Sequence, residues 1–288
     1  MDRPAVDLVV PFRGSAPELS AVRARLETLA LGPADTVTVV DNSPHPHGGA
    51  DVSAPRLQTP GFARNRGAER GSAEWLLFLD ADVLPEPTLL DDYFATAPAA
   101  DTGLLAGGVR DEPVGADGGP AARYSYLRSS MSQDMTLQHG EWAFVQTANC
   151  ALRRRAFESV GGFREGIRAG EDADLCYRLR AAGWATERRE GAVGSHRSRA
   201  TVRALLAQKA THGAAGAWLD RRYPGSFPAR RVPGLTWWGV RRAVTGVTAA
   251  ARDRRRDDAL VAVMDPLTTL AYELGRSLPN HRPLRFRR

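Results

Sequence analysis

Asp80-Ala81-Asp82 follows directly on the apolar run Trp75-Leu76-Leu77-Phe78-Leu79. A turn just after a strand can swing both carboxylates toward one ligand, and hard oxygen donors of this kind suit Mg2+ or Mn2+ completed by phosphate oxygens. A divalent ion there would neutralise a departing diphosphate. A second acidic cluster, Gly170-Glu171-Asp172-Ala173-Asp174, opens a predicted helix over residues 172–182. Carboxylates in that position either cap free N–H groups and meet the helix dipole, or supply a general base. The motif alone leaves both readings open. Arg13 and Asp41 are further charged residues that end apolar runs. His45 and His47 flank Pro46 in a loop and read as exposed, while Cys150 and Cys176 lack an activating histidine in sequence and read as core packing.

Three near-continuous apolar runs must position these groups. Val6-Asp7-Leu8-Val9-Val10, Val37-Thr38-Val39-Val40 and the run before Asp80 have the look of parallel strands buried on both faces. Helical spacing over residues 18–31, and a second helical stretch over 61–71, alternate with them, so the fold class is α/β with a mostly parallel sheet flanked by helices. A fourth strand is expected at 103–109, a loop at 110–120, an extended segment at 141–147 and a helix at 153–160 stopped by Gly161-Gly162. Residues 83–87 read as the start of another helix. In an open sheet of this kind ligands bind beyond the carboxyl ends of the strands, where Arg13, Asp41, Asp80 and Asp82 fall. The last third reads as helices over 201–219, 237–251 and 258–274. Asp265-Pro266 is expected to break the last into two, because proline suits a first helical position.

Charge divides the chain. The net charge is +6, yet residues 197–288 carry 19 basic against 6 acidic side chains and the first 196 carry 20 against 27. A basic third hints at an anionic partner such as a membrane surface, although almost all of it is arginine, as a compositional bias would also give. Trp237-Trp238 with Arg241-Arg242 suggests either an interfacial contact or, as the favoured reading, packing of the tail on the sheet domain. Two cysteines exclude a disulfide scaffold, and no run of about 18 apolar residues suggests a membrane span. No signal peptide is recognised in the opening residues, so the expected location is the cytoplasm, either free or peripheral on the inner membrane face.

In order along the chain, Val9-Val10-Pro11-Phe12, Val39-Val40-Asp41-Asn42-Ser43, Ala63-Arg64-Asn65-Arg66-Gly67 and Phe78-Leu79-Asp80-Ala81-Asp82 resemble the nucleotide-binding half of family 2 glycosyltransferases. Asn149-Cys150-Ala151-Leu152-Arg153-Arg154, Val160-Gly161-Gly162-Phe163 and Gly170-Glu171-Asp172-Ala173-Asp174-Leu175 continue it, and the resemblance spans roughly residues 5–196. It implies a GT-A (Rossmann-like) catalytic domain at 1–196, and the helical, basic region at 197–288 is expected to pack on that domain and to contact acceptor or membrane surface. It implies an inverting, metal-assisted transfer of sugar from a nucleotide donor, a UDP-sugar being favoured. By the same resemblance Pro11, Arg13, Asp41, Arg64, Asp80 and Ala81 surround the nucleotide-sugar, and Asp82 and His196 bind Mn2+ or Mg2+. Asp172 is then the catalytic base, with Glu171 and Trp142 toward the acceptor. The acceptor itself is left open between a lipid-linked glycan, a natural product and a peptide.

Two other classes of reading compete. A nucleotidyltransferase would also place aspartates on a parallel sheet, but Pro11-Phe12-Arg13-Gly14-Ser15 is a poor phosphate loop. Nucleic-acid binding by the basic tail, on an inactive transferase body, is disfavoured by the few aromatics among the arginines at 252–256 and 282–288.

Overall fold

The structure, a computed structural model, describes residues 3–115, 118–196, 201–230 and 232–281; the arginines at 282–288 lie outside them. In chain order the elements are β1 (Val6–Phe12), α1 (Ala16–Leu26), β2 (Thr36–Asp41), β3 (Val52–Ser53), α2 (Pro60–Ala68), β4 (Trp75–Leu79), β5 (Val83–Pro85), α3 (Leu89–Tyr93) and β6 (Thr102–Asp111). There follow α4 (Pro120–Leu127), α5 (Asp134–Leu137), a single 3-10 turn at Gly140–Trp142, β7 (Asn149–Arg153), α6 (Arg154–Ser159), α7 (Glu171–Ala181) and β8 (Ala185–His196). The last helices are α8 (Val202–Arg222), α9 (Val232–Arg252) and α10 (Arg256–Gly275). These elements gather into two compact units, one formed by residues up to 110 with 131–196 and 281, the other by 111–130 with 201–280.

The first unit is the expected α/β body. Its sheet has the order β3-β2-β1-β4-β7-β6-β8-β5, in which β1 runs parallel to β2 and β4, whereas β7 is antiparallel to β4 and β6. Alternation along β1 sends Val6, Leu8, Val10 and Phe12 to one face with Leu19, Val22 and Leu26 of α1, and Val9 to the other with Phe62 and Ala63 of α2. Helix α2 lies close on the sheet because Gly67 has no side chain; a Cβ there would stand 2.3 Å from a Val9 methyl. Asp7 also points to that second face, and it is buried but fully partnered by Thr36, the Ala73 N–H and Arg154.

Three expectations are corrected. Residues 83–87 do not begin a helix: 83–85 form β5, paired antiparallel with β8 so that Val83 faces His196. Residues 141–147 are not a strand but a 3-10 turn and coil, and the strand is β7, where Asn149 opens a segment buried from Asn149 to Leu152. Pro266 does not break the last helix either, since α10 runs through it. Asp265 cannot act as a cap, because its carboxylate accepts from Tyr124 Oη at 3.0 Å, from Arg128 and from Arg242 at 2.6 Å, while contacts with α8 and α9 hold the helix on either side of the missing N–H.

The second unit is helical. Helices α8 and α10 meet through Gly213 and Gly275, where added Cβ atoms would lie 1.8 Å from the Tyr272 carbonyl and 2.1 Å from that of Ala210. Helix α9 meets α10 through Gly239 and Gly246, and Ala250 on the same side is buried. No described helix is long and apolar enough to cross a membrane.

Candidate active site

Residues 80–83 close a turn, with the Val83 N–H donating to the Asp80 carbonyl at 3.0 Å. The turn is anchored from both sides. The Asp80 N–H donates to Ala148 O at 3.0 Å, and Arg25 Nη2 donates to Ala81 O at 2.9 Å, which leaves Ala81 packed at the edge of the core. Because β5 pairs with β8 directly after this turn, Asp82 is carried to the end of β8, where its Oδ2 lies 3.4 Å from His196 Nε2. Asp82 keeps 55% of its side chain exposed while His196 is nearly buried.

Arg64, buried on α2, joins the two acidic motifs. Its Nη2 donates to Asp80 Oδ1 at 2.6 Å and its Nη1 to Glu171 Oε1 at 2.7 Å, with Phe163 under the guanidinium at 5.5 Å. Desolvation alone would lower its affinity for a proton, but the charges of Asp80 and Glu171 more than reverse this and raise it above the ordinary arginine value. Next on the same helix, Asn65 Nδ2 donates to Phe163 O and its Oδ1 accepts from Phe163 N, both at 2.9 Å. Together they clamp the segment that leads into α7.

Helix α7 begins at Gly170, whose φ of 83° is the left-handed conformation glycine adopts without strain. Asp172 lies in its first turn, partly buried, with Oδ1 accepting from the Ala173 N–H at 2.8 Å. Desolvation and then the negative charge of Glu171 push its carboxyl up to about 7, against the opposing pull of that N–H and of Arg64. A carboxylate poised near neutrality fits proton abstraction. Asp174 is otherwise engaged: fully buried, it accepts from Arg164 Nε at 2.9 Å and Arg178 Nε at 2.8 Å and so fixes the helix.

The remaining residues are placed as follows. Pro11 is in β1 and exposed Arg13 just beyond it, next to the end of β2. Asp41 is fully buried, with its oxygens accepting from the backbone N–H groups of Ser43 at 2.8 Å and His47 at 2.6 Å. His47 is therefore not the exposed loop residue expected: it is half-buried, and its Nε2 lies 2.9 Å from Gly14 O, tying the first two loops together. Trp142 packs edge-on against Tyr177 of α7 at 5.2 Å, and Tyr177 Oη donates to its carbonyl at 3.0 Å. Cys150 and Cys176 are buried and their thiols pushed up by desolvation, that of Cys176 to about 12. The bridge through Arg64 and the clamp by Asn65 were not read from the sequence. The run Ala63 to Gly67 was visible, but its partners lie about a hundred residues on.

The donor set at Asp82 and His196 fits a divalent ion. One carboxylate oxygen and one imidazole nitrogen meet at a solvent-facing rim, and no group of three or more His, Cys, Asp or Glu among the described residues encloses a site alone. Mg2+ and Mn2+ are bound in this way, by one or two side chains with substrate phosphates and water, and the imidazole favours Mn2+.

The first unit is an α/β body with a mixed sheet whose parallel half delivers an Asp-x-Asp turn, linked through Arg64 to the acidic start of α7. The chain matches the family described as Glycosyltransferase like family 2 over residues 32–214, well over half its length, and belongs to that family. It is 29% identical over 228 residues to a pre-mycofactocin glycosyltransferase of Mycobacterium tuberculosis, covering 76% of this chain and 48% of that protein. With glycosyltransferase AglE of Haloferax volcanii it shares 29% identity over 180 residues, 61% of this chain and 56% of the relative. The chain thus spans about half the length of the curated relatives it matches. Its fold is that of the mannosyltransferase PcManGT from Pyrobaculum calidifontis, solved with GDP-Man and Mn2+, with a TM-score of 0.60 at 15% identity over 95% of this chain and 87% of that one. GalNAc-T7 with UDP, GalNAc and Mn2+ is similar at a TM-score of 0.51, with 14% identity over 68% of this chain and 44% of that one.

Proposed function

We propose that this chain moves a sugar from a nucleoside diphosphate donor to an acceptor hydroxyl, with inversion and with Mn2+ or Mg2+. The observation that carries the reading is the Arg64 bridge, which ties the Asp80 turn to the start of α7 and so sets Asp82 and His196 on the same framework as a carboxylate poised near 7. In the transfer the acceptor oxygen bonds to the anomeric carbon as the bond from that carbon to the diphosphate oxygen breaks. The diphosphate leaves with the electron pair, and the acceptor proton passes to the Asp172 carboxylate. A cation held by Asp82 and His196 would supply charge neutralisation at the diphosphate.

Residues 1–196 are the catalytic domain in this reading, with Pro11, Arg13, Asp41, Arg64, Asp80 and Ala81 about the donor. UDP-sugars are placed first and GDP- and dTDP-sugars next, with Asp41 at the end of β2 as the acidic residue that the family resemblance sets near the base. Glu171, next to Asp172 in sequence and held by Arg64, and Trp142, packed on Tyr177 of the same helix, are assigned to the acceptor side. The acceptor is a lipid-linked glycan, a natural product or a peptide, and the 197–288 region brings the protein to it, peripherally on an anionic membrane where the acceptor is lipid-linked. The test is a thermal-shift panel of these sugar nucleotides with and without Mn2+. Stabilisation by one nucleotide class, dependent on Mn2+ and lost in Asp82→Ala, is expected; no stabilisation by any of them contradicts the reading.

A further inference from the structure

Helix α9 turns its apolar side the unusual way. The residues that face α10 are small or polar: Gly239 against Pro266, Gly246 against Ala262, and Arg242 on Asp265. The large apolar ones point to solvent. Trp237 is 72% exposed, Val240 60% and Val244 58%, with Val247 and Trp238 also exposed. The positions 237, 240, 244 and 247 follow the three-four spacing of a single helix face, so they form one stripe about three turns long. Neither Trp237 nor Trp238 is buried within its own helical unit.

The charges around the stripe select its occupant. Helix α9 contains no acidic residue, and exposed Arg241 and Arg252 run along one edge of the stripe. At its carboxyl end a tight turn, with Arg254 held at a φ of 55°, gathers exposed Arg254, Arg255 and Arg256 around a concavity also lined by Arg123, Asp257 and Asp258. There Asp257 pairs with Arg123 and Asp258 with Arg255, while Arg254 and Arg256 add to the positive side. Between residues 241 and 258 there are six arginines and three aspartates. A second copy docking on this face would bring like charges together with no acid on α9 to offset them. An apolar stripe with tryptophan at one end and arginines along its edge and at its other end suits the boundary between acyl chains and anionic headgroups.

We infer that the outer face of α9 docks on an anionic lipid bilayer, with Trp237, Val240, Val244 and Val247 entering the interface and the arginines meeting headgroup phosphates. This deepens the membrane part of the proposed function, and it is measured without sugar donor, so it can fail while the transferase reading stands. The experiment is co-sedimentation of the full chain with vesicles of phosphatidylcholine, alone or with one quarter phosphatidylglycerol, at low and at 0.5 M salt. Binding to the anionic vesicles is expected to exceed that to the neutral ones by about tenfold or more and to fall with salt. The surface variant Trp237→Ser/Val244→Ser, checked for an unchanged melting temperature, should lose at least about tenfold in partitioning. Absence of binding by the parental protein overturns the inference, as does undiminished binding by the folded variant. A parental dimer in light scattering that the variant dissolves, with no vesicle binding, assigns the face to a protein contact instead and equally overturns it.

Discussion

Asparagine at position 172 would keep the shape of the side chain and an oxygen for the Ala173 N–H, and remove the carboxyl that desolvation and Glu171 push from 3.8 to about 7. A folded value above the unfolded one means that the native state retains a proton the unfolded chain has released. The parental protein therefore loses stability as pH rises from about 4 to about 7, and the loss is complete above that range. The full displacement is equivalent to roughly 4 kcal/mol, a ceiling for a side chain that water partly reaches. About 1–3 kcal/mol is the expected gain for Asp172→Asn above neutrality, and at about 2–4 °C per kcal/mol this is readable in a melt. The assay is thermal unfolding of parent and variant between pH 4 and 8.5, beside sugar transfer and donor-induced stabilisation. The variant should match the parent near pH 4, melt higher with rising pH until about 7, bind donor and fail to transfer. A melting difference that does not change with pH, or one of opposite sign, refutes the raised carboxyl, and transfer at the parental rate refutes the base.

Arg64→Met leaves Asp80 and Glu171 without their shared cation and should cost about 3–5 kcal/mol in denaturant unfolding. In surviving folded protein, loss of the positive charge that holds Asp172 down should move the acid limb of transfer to higher pH. Asn65→Ala removes the paired hydrogen bonds to Phe163 and is expected to cost about 1–3 kcal/mol, with a lowered transfer rate as the approach to α7 loosens. Gly213→Val drives a side chain into the Tyr272 carbonyl and should unfold the helical unit, seen as lost helical circular dichroism, whereas Gly48→Ser, at an exposed glycine with open space around it, should leave helix content unchanged.

Strands β1, β2 and β4 were legible because both of their faces are covered and the sequence is apolar almost throughout. β7 was not, since Asn149 and Arg153 bracket only three apolar residues. Its central place depends on Asn149, which is buried and partnered by Tyr93 Oη, Gly108 O and Ala192 O from three other elements. The continuity of α10 through Pro266 was hidden for a related reason: the side chains that engage Asp265 come from distant helices. At the site, types of residue were readable and their linkage was not. Asp80, Asp82 and Asp172 stood out as carboxylates after a strand and at a helix start. The bridge by a buried arginine, and the neighbour that raises Asp172, depend on contacts that spacing does not encode.

In the proposed transfer Asp82 and His196 hold one divalent ion together with the donor diphosphate. Pulsed electron paramagnetic resonance of Mn2+ with the full chain and nucleoside diphosphate tests it most directly, because an imidazole ligand imprints nitrogen modulation on the manganese signal. Nitrogen modulation is expected in the ternary mixture, lost in His196→Gln, with no ternary complex in Asp82→Ala. Tight Mn2+ binding without nitrogen modulation, or modulation that survives His196→Gln, would contradict it.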